Sequence, residues 1–183
     1  MILPVYLFNH PILRQQATPI ADMSDDVRVF IENMFDTMRR ADGIGLAANQ
    51  VGSSHAVCVV DISETEHGNG TRPMTFINPV VEAFSDTEND IEEGCLSLPN
   101  FRDVVTRPDA VQIRYLDENM REQVLEADGL LARVLQHEID HLNGIYFFEH
   151  LSPVKKALSK SKLRRIERGQ VIPEYDVVSP PVK

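Results

Sequence analysis

The residues His137-Glu138-Ile139-Asp140-His141 carry the densest chemistry in the chain. On a helix, histidines at i and i+4 project from one face, so both imidazoles can bind one metal ion while Glu138 reaches a water held beside it. Two histidines do not complete such a site, because catalytic metals of this kind usually take three protein ligands and keep one position open. Zinc proteases with this spacing find the third ligand downstream, in a glutamate or a further histidine. Here Gly144 follows with no such histidine, although Glu149 and Glu167 are available as carboxylates. The stronger candidate lies upstream, where Cys95 stands between the flexible Gly94 and, four residues on, the backbone-limiting Pro99. A thiolate there would give a Cys-His-His set. Cys58, inside Ala56-Val57-Cys58-Val59-Val60, reads instead as a small buried hydrophobe. Arg102 and Asp140 are charged and close to these segments, which makes them candidates for an outer layer that orients the ligands, with Arg102 paired to a carboxylate.

The elements that must position these groups can be read from hydrophobic spacing. A helix is predicted from Asp128 as N-cap through Leu130, Leu131, Val134, Leu135 and Leu142 to a stop at Gly144, and it carries the histidine pair. Val27, Phe30, Ile31, Met34, Phe35 and Met38 recur at three- and four-residue steps, which predicts an amphipathic helix from Ser24 to about Ala41. Ser152-Pro153 signals a third helix, to about Arg168. Between the first two helices lie short apolar runs at 56–62, 74–77, 111–116 and 123–125, separated by turn-rich stretches, and these predict strands. Connections this short favour antiparallel pairing. The expected fold is therefore α+β, with mainly antiparallel sheets packed around the central histidine-bearing helix. Residues 1–168 should form one domain, and the proline-rich 169–183 an extended or mobile tail.

Bulk properties narrow the function classes. A chain of 183 residues with 43% hydrophobic and 25% charged residues is of ordinary globular composition. A net charge of −10 opposes general attraction to nucleic acid and to anionic membrane, so neither specific DNA binding nor membrane association is expected. The apolar start lacks a basic leader region and contains Pro4, which argues against a signal peptide. With two cysteines there is no disulfide framework, and a reducing cytoplasm is the natural compartment.

Three segments, Gly43-Ile44-Gly45-Leu46-Ala47-Ala48-Asn49-Gln50, Glu93-Gly94-Cys95-Leu96-Ser97 and Gln136-His137-Glu138-Ile139-Asp140-His141, together resemble the three signature motifs of peptide deformylases, in the family's order. Asn49 falls at a place that varies in the first motif. The resemblance extends from about residue 5 to about residue 168. It implies removal of the formyl group from the N-terminal formyl-methionine of nascent polypeptides, with one divalent metal ion on Cys95, His137 and His141. It implies Glu138 as general base and acid, and Gln50 with the Leu96 N–H as donors to the formyl oxygen. It also implies main-chain bonds from Gly45 to substrate and a methionine pocket of Ile44, Leu130, Val134 and His137, with Ile91 and Glu93 nearby. The implied native ion is iron(II), although a thiolate with two imidazoles also accepts zinc, nickel or cobalt. Relatives carry an aliphatic residue where this chain has Arg133, which leaves the shape and polarity of the outer pocket open, although a long arginine can lay its stem on apolar surface and keep its charge in water.

The stretch 152–168 holds seven basic residues against the single acid Glu167, a local excess of six positive charges. Such a face suits a phosphate-rich surface despite the acidic whole, and the resemblance suggests the ribosome. Two rival readings stay open: a zinc endopeptidase, and a non-catalytic domain in which the same three ligands hold a structural metal.

Overall fold

A computed structural model of the chain describes residues 1–68 and 70–181. The strands are β1 (Val5–Tyr6), β2 (Gly45–Ala47), β3 (Val57–Val60), β4 (Met74–Phe84), β5 (Glu88–Cys95), β6 (Leu98–Pro108), β7 (Ala110–Leu116), β8 (Glu122–Asp128) and β9 (Val177–Val178), and the helices are α1 (Asp25–Arg40), α2 (Gly129–Leu142) and α3 (Pro153–Glu167). A five-stranded antiparallel sheet runs β2-β3-β4-β7-β8, and β5 and β6 form a separate antiparallel ribbon. The chain ends meet in a small parallel pair, β1 with β9. The architecture is α+β with mainly antiparallel sheets, as the short connections require.

Strand β3 explains how the layers stack. Val57 and Val59 face one side and pack with Ile31, Met34 and Met38 of α1, while Cys58 and Val60 face the other and pack with Leu135, Ile139 and Leu142 of α2. A strand covered on both faces reads as an unbroken apolar run, which is the sequence found there. Helix α1 starts where Ser24 Oγ accepts the Val27 N–H at 3.3 Å, with Asp25 and Asp26 at its positive end and Arg39 and Arg40 at its negative end. Asp128 takes the N-cap position of α2, but its side chain makes no capping bond. That helix is held mainly by burial, and truncating a residue such as the fully buried Leu135 to alanine should cost about 2–5 kcal/mol.

A third apolar cluster joins β6 to α3 and to the N-terminal segment through Leu98, Phe101, Val105, Phe147, Leu163 and Ile166. Helix α3 buries only the narrow stripe Ser159, Leu163 and Ile166. Lys160, Lys162, Arg164, Arg165 and Arg168 are exposed on its other faces. The tail continues past Gly169 and returns to the body, with the Val5 N–H donating to the Asp176 carbonyl at 2.8 Å and the Leu7 N–H to that of Val178 at 2.9 Å. Among the described residues, no helix is long and apolar enough to cross a membrane.

Candidate metal centre and substrate groove

Helix α2 presents His137 and His141 from one face, with ring centroids 4.8 Å apart, and both rings are buried. Cys95 enters from the end of β5, where a register shift between Gly94 and Cys95 lets the strand turn back into β6. One ligand atom from each of Cys95, His137 and His141 lies within 4.8 Å of the other two, and Cys95 Sγ is 3.1 Å from His141 Nε2. The site is therefore a candidate metal centre of one thiol and two imidazoles.

The tautomer of His137 follows from its neighbour. His137 Nδ1 is 2.9 Å from Glu93 Oε2, and Glu93 is buried. Burial alone would raise the Glu93 carboxyl, but hydrogen bonds from His137 and Arg107 outweigh it and hold the group well below the usual carboxylate range. An ionised carboxylate only accepts, so Nδ1 carries the hydrogen and Nε2 is left for a metal. Burial pushes His141 well below its ordinary value, which favours the neutral ring that a metal ligand must be.

Beneath this pair lies a network in which Glu93 and Asp140 are candidates from the sequence and Arg107 is not. Arg107, almost wholly buried, donates to Glu93 through Nε at 2.7 Å and to Asp140 at 2.6 Å. Arg133 donates to the same Glu93 at 2.8 Å, to the Val105 carbonyl at 2.6 Å and to Asn89. The reading in which Arg133 keeps its charge in water is therefore corrected: it is 3% exposed, with two guanidinium cations and the two carboxylates Glu93 and Asp140 balancing in one buried cluster. Asp140 also meets His150 at 2.7 Å, and it reaches the ligands only through Arg107 and Glu93. Arg102 lines the groove, 68% exposed, and pairs with the carboxylate of Glu92 at 3.8 Å, whereas the arginine in contact with Glu93 beneath the ligands is Arg107. Alternation along β6 could have found this, since Phe101, Val105 and Arg107 share the inward parity while Arg102 has the outward one.

Gln50 sits in the short 3₁₀ turn after β2, with Oε1 accepting the Ala47 N–H at 2.9 Å. That bond turns its Nε2 toward Cys95 Sγ at 3.4 Å and Ser97 Oγ at 3.3 Å. Asn49 beside it donates to the His141 carbonyl and so ties the first motif to the end of α2. Glu138 is buried, and its Oε2 has no hydrogen-bond partner. Burial pushes its carboxyl up to about 7. Gly45 passes so close that a Cβ there would lie 2.4 Å from Glu138 Oε1 and 2.8 Å from Val134 Cγ1.

A groove of about 640 Å³ opens over these groups. Its walls include Ile44, Gly45, Ile91, Leu96, Leu130 and Val134, with Cys95, His137 and Glu138 at its floor and Ile172 to Tyr175 of the tail along its rim. Every sequence-predicted site residue except His141, Asp140 and the outer Glu149 and Glu167 lines this one groove. His141 joins it through the ligand cluster.

An α+β scaffold that brings a thiol, two imidazoles and an unpaired carboxylate together at the floor of an open groove defines an enzyme of the HExxH type with a candidate metal centre. The polypeptide deformylase family pattern matches residues 2–157. A peptide deformylase of Salinibacter ruber is 42% identical over 98% of this chain and 95% of its own length, and one of Rhizobium meliloti is 43% identical over 85% and 88%. A crystal structure of a peptide deformylase from Legionella pneumophila superposes with a TM-score of 0.83 at 36% identity, covering 93% of this chain and 98% of that one. The Ehrlichia chaffeensis peptide deformylase in complex with actinonin gives 0.83 at 35% identity, covering 91% and 98%. The chain belongs to the polypeptide deformylase family, and it is an enzyme of that class.

Proposed function

We propose that this enzyme hydrolyses the N-formyl group from the N-terminal formyl-methionine of nascent polypeptides in the cytoplasm, releasing formate and a free amino terminus. The observation that carries the reading is the unpaired, buried Oε2 of Glu138 beside three converging metal-ligand side chains at the floor of a groove. The donor set fits one divalent ion: Cys95 Sγ, His137 Nε2 and His141 Nε2, with no fourth protein ligand in the cluster among the described residues. Such an ion supplies Lewis-acid polarisation of a carbonyl oxygen and lowers the pKa of water at its open position. We take iron(II) as the native ion, with zinc, nickel or cobalt able to replace it at these donors.

The protein groups perform the rest. Glu138 takes a proton from the attacking water at its free carboxylate oxygen, then delivers it to the methionine nitrogen as the formyl C–N bond breaks. Negative charge grows on the formyl oxygen during attack, and Gln50 Nε2 with the Leu96 N–H donates to it there. Main-chain bonds from Gly45 align the substrate backbone. Ile44, Leu130 and Val134 enclose the methionine side chain, with Ile91 nearby. Glu93 closes the inner end of the pocket, but its carboxylate is committed to His137, Arg107 and Arg133, so it acts on substrate only through them.

Formate release from a formyl-Met peptide tests the reading, with intact peptide bonds in the product separating it from endopeptidase action. In a Cys95→Ser variant we expect metal content and turnover to fall together; a peptidase with a glutamate ligand would keep its metal. The exposed basic residues of α3 are proposed to meet ribosomal RNA. Reversing Lys160, Lys162 and Arg164 to glutamate should then abolish salt-sensitive ribosome co-sedimentation, and unchanged co-sedimentation would remove this partner.

A further inference from the structure

The turn that joins β5 to β6 carries both the thiol ligand and Leu96, and it is held from three directions. Gln50 Nε2 grips Ser97 Oγ at 3.3 Å from inside. The Phe8 N–H donates to the Ser97 carbonyl at 2.9 Å. The Tyr175 hydroxyl donates to the Leu96 carbonyl at 2.7 Å. The last two grips come from opposite ends of the chain, and those ends are fastened to each other by the β1–β9 pair, with Val5 opposite Val177 and Tyr6 opposite Val178. Just before β9, Ile172, Pro173, Glu174 and Tyr175 run along the rim of the groove. Ile172 is 85% exposed there, an apolar side chain left largely uncovered by the described residues.

Holding the carbonyls of both turn residues leaves the turn little torsional freedom, so the Leu96 N–H keeps one direction. A donor to a developing oxyanion is worth most when its direction is set before reaction, because no reorganisation is then needed at the moment of attack. We infer that the C-terminal segment is a working part of the substrate site: Tyr175 is a positioning residue that aims the Leu96 N–H, and Ile172 to Tyr175 form the wall for residues that follow the N-terminal methionine. The inference rests on the deformylase reading above for its substrate, and on the hydrogen bonds alone for its geometry.

Two single substitutions in the full chain separate its parts. Tyr175→Phe keeps the ring and removes only the hydroxyl. It should lower kcat about threefold to tenfold on formyl-Met-Ala-Leu, the range set by one lost hydrogen bond, with KM and metal content held. Hydrogen exchange of the Cys95–Leu98 segment and of the Phe8 amide should quicken by a similar factor, whether or not metal is present. Ile172→Ser should raise KM for formyl-Met-Ala-Leu and leave formyl-methionine unchanged. A lower melting temperature with wild-type kcat and exchange would make Tyr175 a merely structural contact and overturn the aiming role. Equal KM for the long substrate in Ile172→Ser would overturn the wall. If the wild type released no formate while Tyr175→Phe still loosened the turn, the grip would stand and the deformylase reading would fall.

Discussion

Glu93 holds His137 through a 2.9 Å contact to Nδ1, and that contact fixes which ring nitrogen faces the metal site. The same carboxylate is gripped by Arg107 and Arg133, so the orientation of a ligand depends on a buried charge cluster rather than on a single bond. Removing the charge while keeping the shape, as in Glu93→Gln, should weaken metal affinity about 10- to 100-fold. Metal-competition titration checks this; wild-type affinity would mean the ring is oriented by packing against Phe147 instead.

Arg133 offers a separate stability test. Replacing it with Met keeps much of the stem but leaves Glu93 and Asp140 with Arg107 as their one guanidinium partner and strips the Val105 carbonyl of a donor. Breaking a buried pair from one side typically costs about 3–5 kcal/mol, which urea denaturation resolves. A loss under about 1 kcal/mol would place the arginine in water, as its sequence context allows.

Gly45 has no room for a side chain. With a Cβ only 2.4 Å from Glu138 Oε1, Gly45→Ala must displace the carboxylate or the strand. Turnover should fall by about 100-fold or more if proton transfer at Glu138 carries the reaction, since a positioned acid–base group contributes about 10²–10⁴-fold. Steady-state kinetics with unchanged metal content is the measurement, and near-wild-type kcat would count against Glu138 in that role.

The two thiols should differ sharply. Cys58 is fully buried and burial raises its thiol well above the ordinary value, whereas Cys95 lines the groove. In metal-free protein a disulfide reagent should therefore modify one thiol per chain quickly, and Cys95→Ser should erase that phase. Adding a divalent ion should protect it; equal reactivity with and without metal would argue against a sulfur ligand.

Asp103 links β6 to α3, with Lys155 Nζ at 2.8 Å. That hydrogen bond holds the Asp103 carboxyl below its usual range. A depressed folded value adds stability above the unfolded pKa of about 3.9, and this is lost as pH falls through the folded value. Asp103→Asn should thus melt slightly below wild type at pH 7, by about 0.2–1 kcal/mol for a partly exposed pair, and match it near pH 2. A gap that persists in acid would assign the effect to packing.

Much of this site was legible in the sequence because its groups recur at helical spacing or stand in short motifs: the histidine pair on α2 and the Ser24 cap of α1 are local features. Strands β5 and β6 were not legible. The inward face of β5 holds Asn89, Ile91, Glu93 and Cys95, so the alternation that marks a strand is overwritten by the polar groups the site needs. Arg107 shares the inward parity of β6, but its partners stand 14 and 33 residues away in the chain and leave no local signal of its role. The role of the tail depended on β1 and β9 meeting across nearly the whole sequence, and two-residue strands carry no periodic signal.

Whether Glu138 acts at the floor of the groove is tested most directly by one comparison: formate released from a formyl-Met peptide by wild type and by Glu138→Ala, each assayed for bound metal. We expect one ion per chain in both and turnover in the variant lower by about 10²–10⁴-fold. Retention of more than a tenth of the wild-type rate by the metal-loaded variant would contradict that role of Glu138.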